Sequence, residues 1–371
     1  MDKRIVLLSL LAFSMHQANA KTPSFQCLNM RPQTFFGGFI SGDGSTVVHE
    51  YGVLWSEQTG VQALPCYQSG QDVRGISNDG TTILMNDNIY VTSYVWNRNS
   101  GQTDIPNMLW SNVLSNDGRT AGGVKVENYD WTAQLWSDKT GPIPLSDSSG
   151  QPARGGIFAL SQDGSIAYGV HRTDSSLLEV YRWSQTTGME FLSPFTGLRK
   201  TTGFDDIHVT DCSADGQFLT GQMRYHIQME TGQIKTYYES FRWSDTEGLT
   251  PLGFLDSSTS NRADAISADG SIIVGHSSSG GSILDVNAFI WDQEHGIRDL
   301  NKVLTEQYQV NLNGWRLSRA MDISSDGTRI LAFGIGPSGE FDFCLVQIPE
   351  PAAVLLVGLG AGLIRIKRRT K

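Results

Sequence analysis

The chain has 371 residues, of which 40 are glycine, 10% aromatic and only 18% charged, which excludes a disordered or mainly helical protein and fits one large turn-rich β domain or two ordinary ones. The formal charge is −10; the two ends carry +1 and +5, which leaves −16 on residues 21–351 and disfavours nucleic acid and anionic lipid as partners. Four cysteines in this length do not make a disulfide scaffold.

Met1–Ala20 reads as a secretory signal peptide. Lys3 and Arg4 precede the apolar stretch Ile5–Phe13, and Ala18-Asn19-Ala20 supplies a cleavage site for signal peptidase. The mature chain is expected to start near Lys21, in a compartment where disulfides form.

From there a Ser-x-Asp-Gly turn recurs seven times, with its aspartate at Asp43, Asp79, Asp117, Asp163, Asp215, Asp269 and Asp326. The intervals run from 36 to 57 residues, the range of propellers and solenoids. After each of the first six turns comes a tryptophan, Trp55, Trp96, Trp136, Trp183, Trp243 or Trp291, with a glycine five residues later. One unit therefore predicts four short antiparallel strands. In the best-formed copy these are Ala263–Ile266, Ser271–His276, Asn287–Trp291 and Ile297–Leu300. Seven such units predict an all-β fold, a β-propeller of seven four-stranded blades over residues 21–348. The seven Asp and six Trp residues are expected to be structural, in turns and in packing between units.

The seventh unit has no such tryptophan and no fourth strand. Phe25–Leu28 resembles the fourth strands elsewhere and is expected to complete it, which removes an exposed edge. Cys27 then lies beside the strand carrying Cys344, and a Cys27–Cys344 disulfide would lock the closure. Cys66 is a competing partner, and Cys212 occupies an apolar slot.

No cofactor or metal motif stands out. Gly334–Gly339 spells G-x-G-x-x-G, but Pro337 and the β repeat predict a hairpin loop there. His171 and His276 follow second-strand glycines and are expected at solvent-facing strand ends. Asp211, Asp264 and Asp322 sit on innermost strands, Asp211 and Asp322 four residues before the turn aspartate and Asp264 five before it, the position that Arg74 and Asn112 hold in their own units. They are candidates for a carboxylate pair lining a central channel. Trp110, Trp131 and Trp315 fall off the repeat grid. Trp131, in a variable loop, is the candidate for stacking on a sugar.

Residues 349–371 read as a sorting tail. Pro349, Glu350 and Pro351 precede thirteen uncharged residues, and then come Arg365, Lys367, Arg368, Arg369 and Lys371. The apolar run is short for a bilayer span, and the basic end would stay cytoplasmic. This layout resembles the PEP-CTERM signal of Gram-negative bacteria. The resemblance implies transient docking in the inner membrane and removal of the tail by an exosortase-like processing enzyme. The repeats, and above all Asp299 to Ile330, resemble the HAF-type extracellular repeat proteins. That resemblance covers about residues 34–371. It implies a cell-surface location and a propeller, and it carries no catalytic residues over. His49 and Met85 depart from the pattern, standing where units three to six have glycine.

Two function classes fit. One is a non-catalytic binding or structural protein of the cell envelope or extracellular matrix, engaging exopolysaccharide or envelope proteins. The other is a carbohydrate-active enzyme, a glycosidase or lyase, working through the channel carboxylates.

Overall fold

The computed structural model describes residues 21–32, 37–89, 92–127, 130–147, 149–172, 178–192, 204–256, 258–279 and 285–350. The predicted signal segment 1–20 lies outside them, as does the sorting tail from Pro351 onward, with Arg365, Arg368 and Arg369. Pro349 and Glu350 follow the last strand outside any regular element. No helix of the described residues is long and apolar enough to cross a membrane.

The described residues are almost all strand or turn, with one short helical stretch, Leu300–Lys302 running into Val303–Gln307. Five sheets have four strands each and one has eight. The eight-stranded sheet is two four-stranded meanders joined by a single parallel bridge, Tyr238 to Ser260. The strands thus fall into seven four-stranded antiparallel units. Units one to six span residues 38–63, 71–105, 110–144, 155–191, 204–251 and 260–299. Unit seven joins Arg316–Ile323, Arg329–Ile335 and Phe341–Gln347 to the N-terminal strand Ser24–Cys27.

The repeated turn explains itself. In unit six Ser267 Oγ donates to Asp269 Oδ1 at 2.7 Å and accepts the Ile272 amide at 3.0 Å. The Ser271 amide donates to the same Asp269 oxygen. Gly270, at φ +72°, reverses the chain where an L side chain is strained. All seven copies repeat the Ser–Asp bond, at 2.6 to 2.9 Å. The serine in each is buried. Two local side chains therefore satisfy backbone amides that the hairpin's own ladder leaves over.

The turns are also tied to each other. Asp43 N donates to Asn78 O, Asn78 N to Asn116 O, and Asp117 N to Gln162 O. Gln162 N, Ala214 N and Ala268 N continue to Ala214 O, Ala268 O and Ser325 O, and Ser325 N returns to Gly42 O. The circuit visits every unit once and closes.

The hydrophobic cores obey the same cycle. Trp55 and Ile40 pack with Phe343 and Leu331, joining units one and seven. Tyr94 packs with Val48, Trp136 with Leu84, and Tyr181 with Leu135. Tyr168 packs with Trp243, Phe289 with Leu252, and Ile290 with Val346. Each unit buries its faces against both neighbours, so no single sheet has a core of its own. The six repeat tryptophans all lie in these clusters; Trp96 and Trp183 are the half-buried ones.

Candidate functional site

The first strand of each unit is innermost, and six of the seven carry a β-bulge at one position. The extra residue stands five before the turn aspartate: Arg74, Asn112, Phe158, Thr210, Asp264 and Met321. A bulge leaves its residue out of the ladder and re-aims its side chain. All six side chains line one narrow channel of 170 Å³, to which every unit's first strand contributes. In units three to six a close backbone approach at the bulged strand also explains a glycine, whereas unit two, bulged at Arg74, holds Met85 in that slot. A Cβ at Gly275 would lie 2.0 Å from the Arg262 carbonyl oxygen of the bulged strand, and Gly123, Gly169 and Gly221 face the same obstruction. In unit one His49 fills that slot, and its burial pushes the imidazole down to about 4.

At one end the channel opens into two adjoining cavities that share Asn112, Phe158 and Val209. The first, of 660 Å³, is walled by Trp110, Trp131, Phe158 and Leu178, with Asn112, Asp130, Arg154, Arg172 and His208 as its polar side chains. Trp131 is 49% exposed. Its ring centroid lies 4.9 Å from that of Trp110, with the planes 39° apart. Trp131 is on a strand rather than in a loop: Asp130–Ser137 and Thr120–Glu127 form a long hairpin in which Trp131 faces Val126. The hairpin extends beyond the sheet and carries the indole over the cavity. Trp315 packs against the core of units six and seven.

The second cavity, of 640 Å³, is polar and holds Glu50, Arg74, Thr210, Arg262, Asp264 and Arg319 among its lining. His276 belongs to it as well and is not a solvent-facing strand end. Its Nδ1 lies 2.7 Å from Asp264 Oδ2, and the pair is mostly buried. Asp264 also pairs with Arg262 at 3.2 Å. Arg74 pairs with Asp72 at 3.0 Å.

The three candidate carboxylates occupy different settings. Asp264 reaches the cavity. Asp211 and Asp322 lie deeper in the channel, each with both oxygens on backbone amides. Asp211 accepts from Cys212 at 2.8 Å and from Ile266 of the next unit at 3.0 Å. Asp322 accepts from Ile323 at 2.8 Å and from Ile40 of unit one at 2.9 Å. Burial pushes Asp211 up to about 6 and Asp322 up to about 7, against the opposing pull of those amides.

Cys27 and Cys344 face each other across the strand pair that completes unit seven, with sulfurs 2.7 Å apart as free thiols. Cys66 instead packs on Met85, and Cys212 is buried. Gly334–Gly339 turns between two antiparallel strands, with Gly336 N donating to Glu340 O. Among the described residues no group of three or more His, Cys, Asp and Glu is placed to hold a metal ion.

Sequence reasoning found Trp131, Asp264, Arg74 and Asn112 but missed Glu50, Thr210, His276 and Arg319 as members of one cavity. A positional signal was available for Thr210 alone, which stands five before a turn aspartate like Arg74, Asn112 and Asp264.

The chain matches no protein-family model and no curated protein sequence. Solved structures do resemble it. Puromycin hydrolase aligns with a TM-score of 0.51 at 13% identity, covering 90% of this chain and 53% of the hydrolase. Hydrazine synthase from Kuenenia stuttgartiensis aligns at 0.49 and 13%, over 87% of this chain and 99% of that one. TolB from Acinetobacter baumannii aligns at 0.40 and 14%, over 82% and 77%. At these identities the likeness is one of fold alone.

Proposed function

We propose that the protein is an exported, non-catalytic β-propeller of seven blades, which holds a carbohydrate ligand on the channel-mouth face. The observation that carries this reading is the exposed Trp131 beside Trp110 over a concave cavity with a polar rim. A flat aromatic face against a sugar ring, with a few hydrogen-bonding groups at the edge, suits a carbohydrate better than a metabolite needing enclosure. The propeller form is supported by the cyclic order of the seven cores and by the circuit of turn hydrogen bonds. Binding is preferred to hydrolysis because Asp211 and Asp322 spend both carboxylate oxygens on backbone amides.

Export rests on the signal-like residues 1–20, and sorting to the envelope or matrix on residues 349–371. Neutral residues in place of Arg368 and Arg369 are expected to impair removal of the tail.

The test uses full-length protein and immobilised exopolysaccharide from the producing strain. The protein should be retained, polysaccharide chain length should stay unchanged, and Trp131→Ala should lower retention about tenfold, as loss of one stacking contact does. Absence of retention would remove the binding reading, and shortened chains would replace it with cleavage.

A further inference from the structure

The 640 Å³ cavity differs from the rest of this acidic protein. Arg74, Arg262 and Arg319 converge on it from units two, six and seven. The only acidic side chains in its lining are Glu50 and Asp264. Asp264 is already engaged by His276 and Arg262. Arg319 makes no ion pair or side-chain hydrogen bond among the described residues.

Buried polar atoms nearly always have partners. Ten such atoms among the described residues have none, and four of the ten belong to this lining: Glu50 Oε2, Arg74 Nε, Thr210 Oγ1 and Arg319 Nε. The residues of this lining thus leave part of their hydrogen-bonding capacity unused by the protein itself. Guanidinium forks pair with planar oxyanions through two parallel bonds, and the match strengthens where water is scarce. The cavity also abuts the tryptophan cavity, through Asn112, Phe158 and Val209.

We infer that Arg74 and Arg319 form an oxyanion subsite, and that the carbohydrate ligand is an acidic glycan. One sugar ring stacks on Trp131 while the carboxylate of a neighbouring uronate residue pairs with the two arginines. This deepens the carbohydrate reading and rests on it for the identity of the ligand. An excess of acidic side chains over the remaining surface would repel a polyanion, so the arginines act as an address that only a correctly docked chain reaches.

The experiment pairs oligogalacturonate with its methyl ester, which has the same backbone without the charge. Full-length protein carrying ¹⁵N-arginine is titrated with each, reading tryptophan emission and arginine Nε–H shifts together. Oligogalacturonate should quench emission and shift the Arg319 signal. The ester should quench but leave the arginine signals in place, and should bind at least tenfold more weakly. Arg319→Gln should erase that difference, and Arg319→Lys, which keeps charge and bulk, should restore part of it. Quenching by both ligands with no arginine shift would overturn the oxyanion subsite and leave the carbohydrate reading standing. An arginine shift without quenching would keep the subsite and remove the stacking. No response in either channel would overturn both.

Discussion

Asp322 of the seventh unit holds the amide of Ile40 in the first, Oδ2 to N, at 2.9 Å, while its other oxygen holds Ile323 of its own strand. Asp211 does the same between units five and six. These two carboxylates sit in a slot that Gly75, Val113, Ala159 and Ala265 fill elsewhere, so they are added latches across two of the joints.

Both latches carry a pH signature. Burial raises Asp322 from 3.8 to about 7 and Asp211 from 3.8 to about 6. The folded chain therefore holds protons that the unfolded chain has released, and stability falls as pH rises through that window. Asp322→Asn should flatten the fall. Melting temperature against pH, from 4 to 8, compares the two proteins; parallel curves would remove the assignment.

At lower pH the turn aspartates act in the opposite sense. Burial alone would raise Asp326, but Lys21, Ser324 and Thr328 together hold it down at about 2. Asp43, Asp79, Asp163 and Asp269 are likewise lowered by their serine and backbone partners, against burial. A depressed carboxylate contributes stability above its unfolded value of 3.8 and loses it as pH falls toward the folded value. Acid unfolding should accordingly begin below pH 4. Ser267→Ala, which removes both hydrogen bonds of a buried turn hydroxyl, should cost about 1–3 kcal/mol in denaturant unfolding at neutral pH.

The N-terminal strand should be indispensable. Leu28 and Met30 are buried against unit seven, and the Asp342 carboxylate accepts the amides of Asn29, Met30 and Arg31. Leu28→Ala should cost about 2–5 kcal/mol, as a large-to-small change in a core does. Removal of residues 21–30 should lower the melting temperature by many degrees, and an unchanged melt would refute closure by this strand.

Oxidation should couple Cys27 to Cys344 and leave Cys66 and Cys212 as thiols. A two-electron oxidant such as oxidised glutathione takes up the electrons as the S–S bond forms and both protons leave. Non-reducing peptide mapping reads the pairing; a Cys27–Cys66 link would sink it. The bond should raise the melting temperature, because the strand it pins is 317 residues from its partner in sequence.

The repeated unit was legible because its chemistry is local. Ser267, Asp269 and Gly270 satisfy one hairpin within six residues, and Asp292, which accepts the Glu294 and His295 amides, sets the next turn with Gly296. The fourth strand of unit seven was legible by elimination, since one unit lacked a strand and one strand lacked a unit. The bulges were not legible. Phe158 or Met321 at the inward position carries no polar mark. Asp322 could be placed in the channel from its slot, but its partner Ile40 lies at the other end of the chain. The pairing of His276 with Asp264 depends on that same bulge.

The closed circuit through Gly42, Asn78, Asn116, Gln162, Ala214, Ala268 and Ser325 has a topological consequence. Because the units are held in order by contacts at every joint, the chain need not run unbroken through every unit. The natural break lies within unit seven, whose strands come from both ends of the chain. Joining those ends and cutting instead at an outer turn, such as the one before Gly141, would yield a permuted chain with the same neighbours throughout. In this fold the start and finish of the polypeptide are a property of translation, not of the architecture.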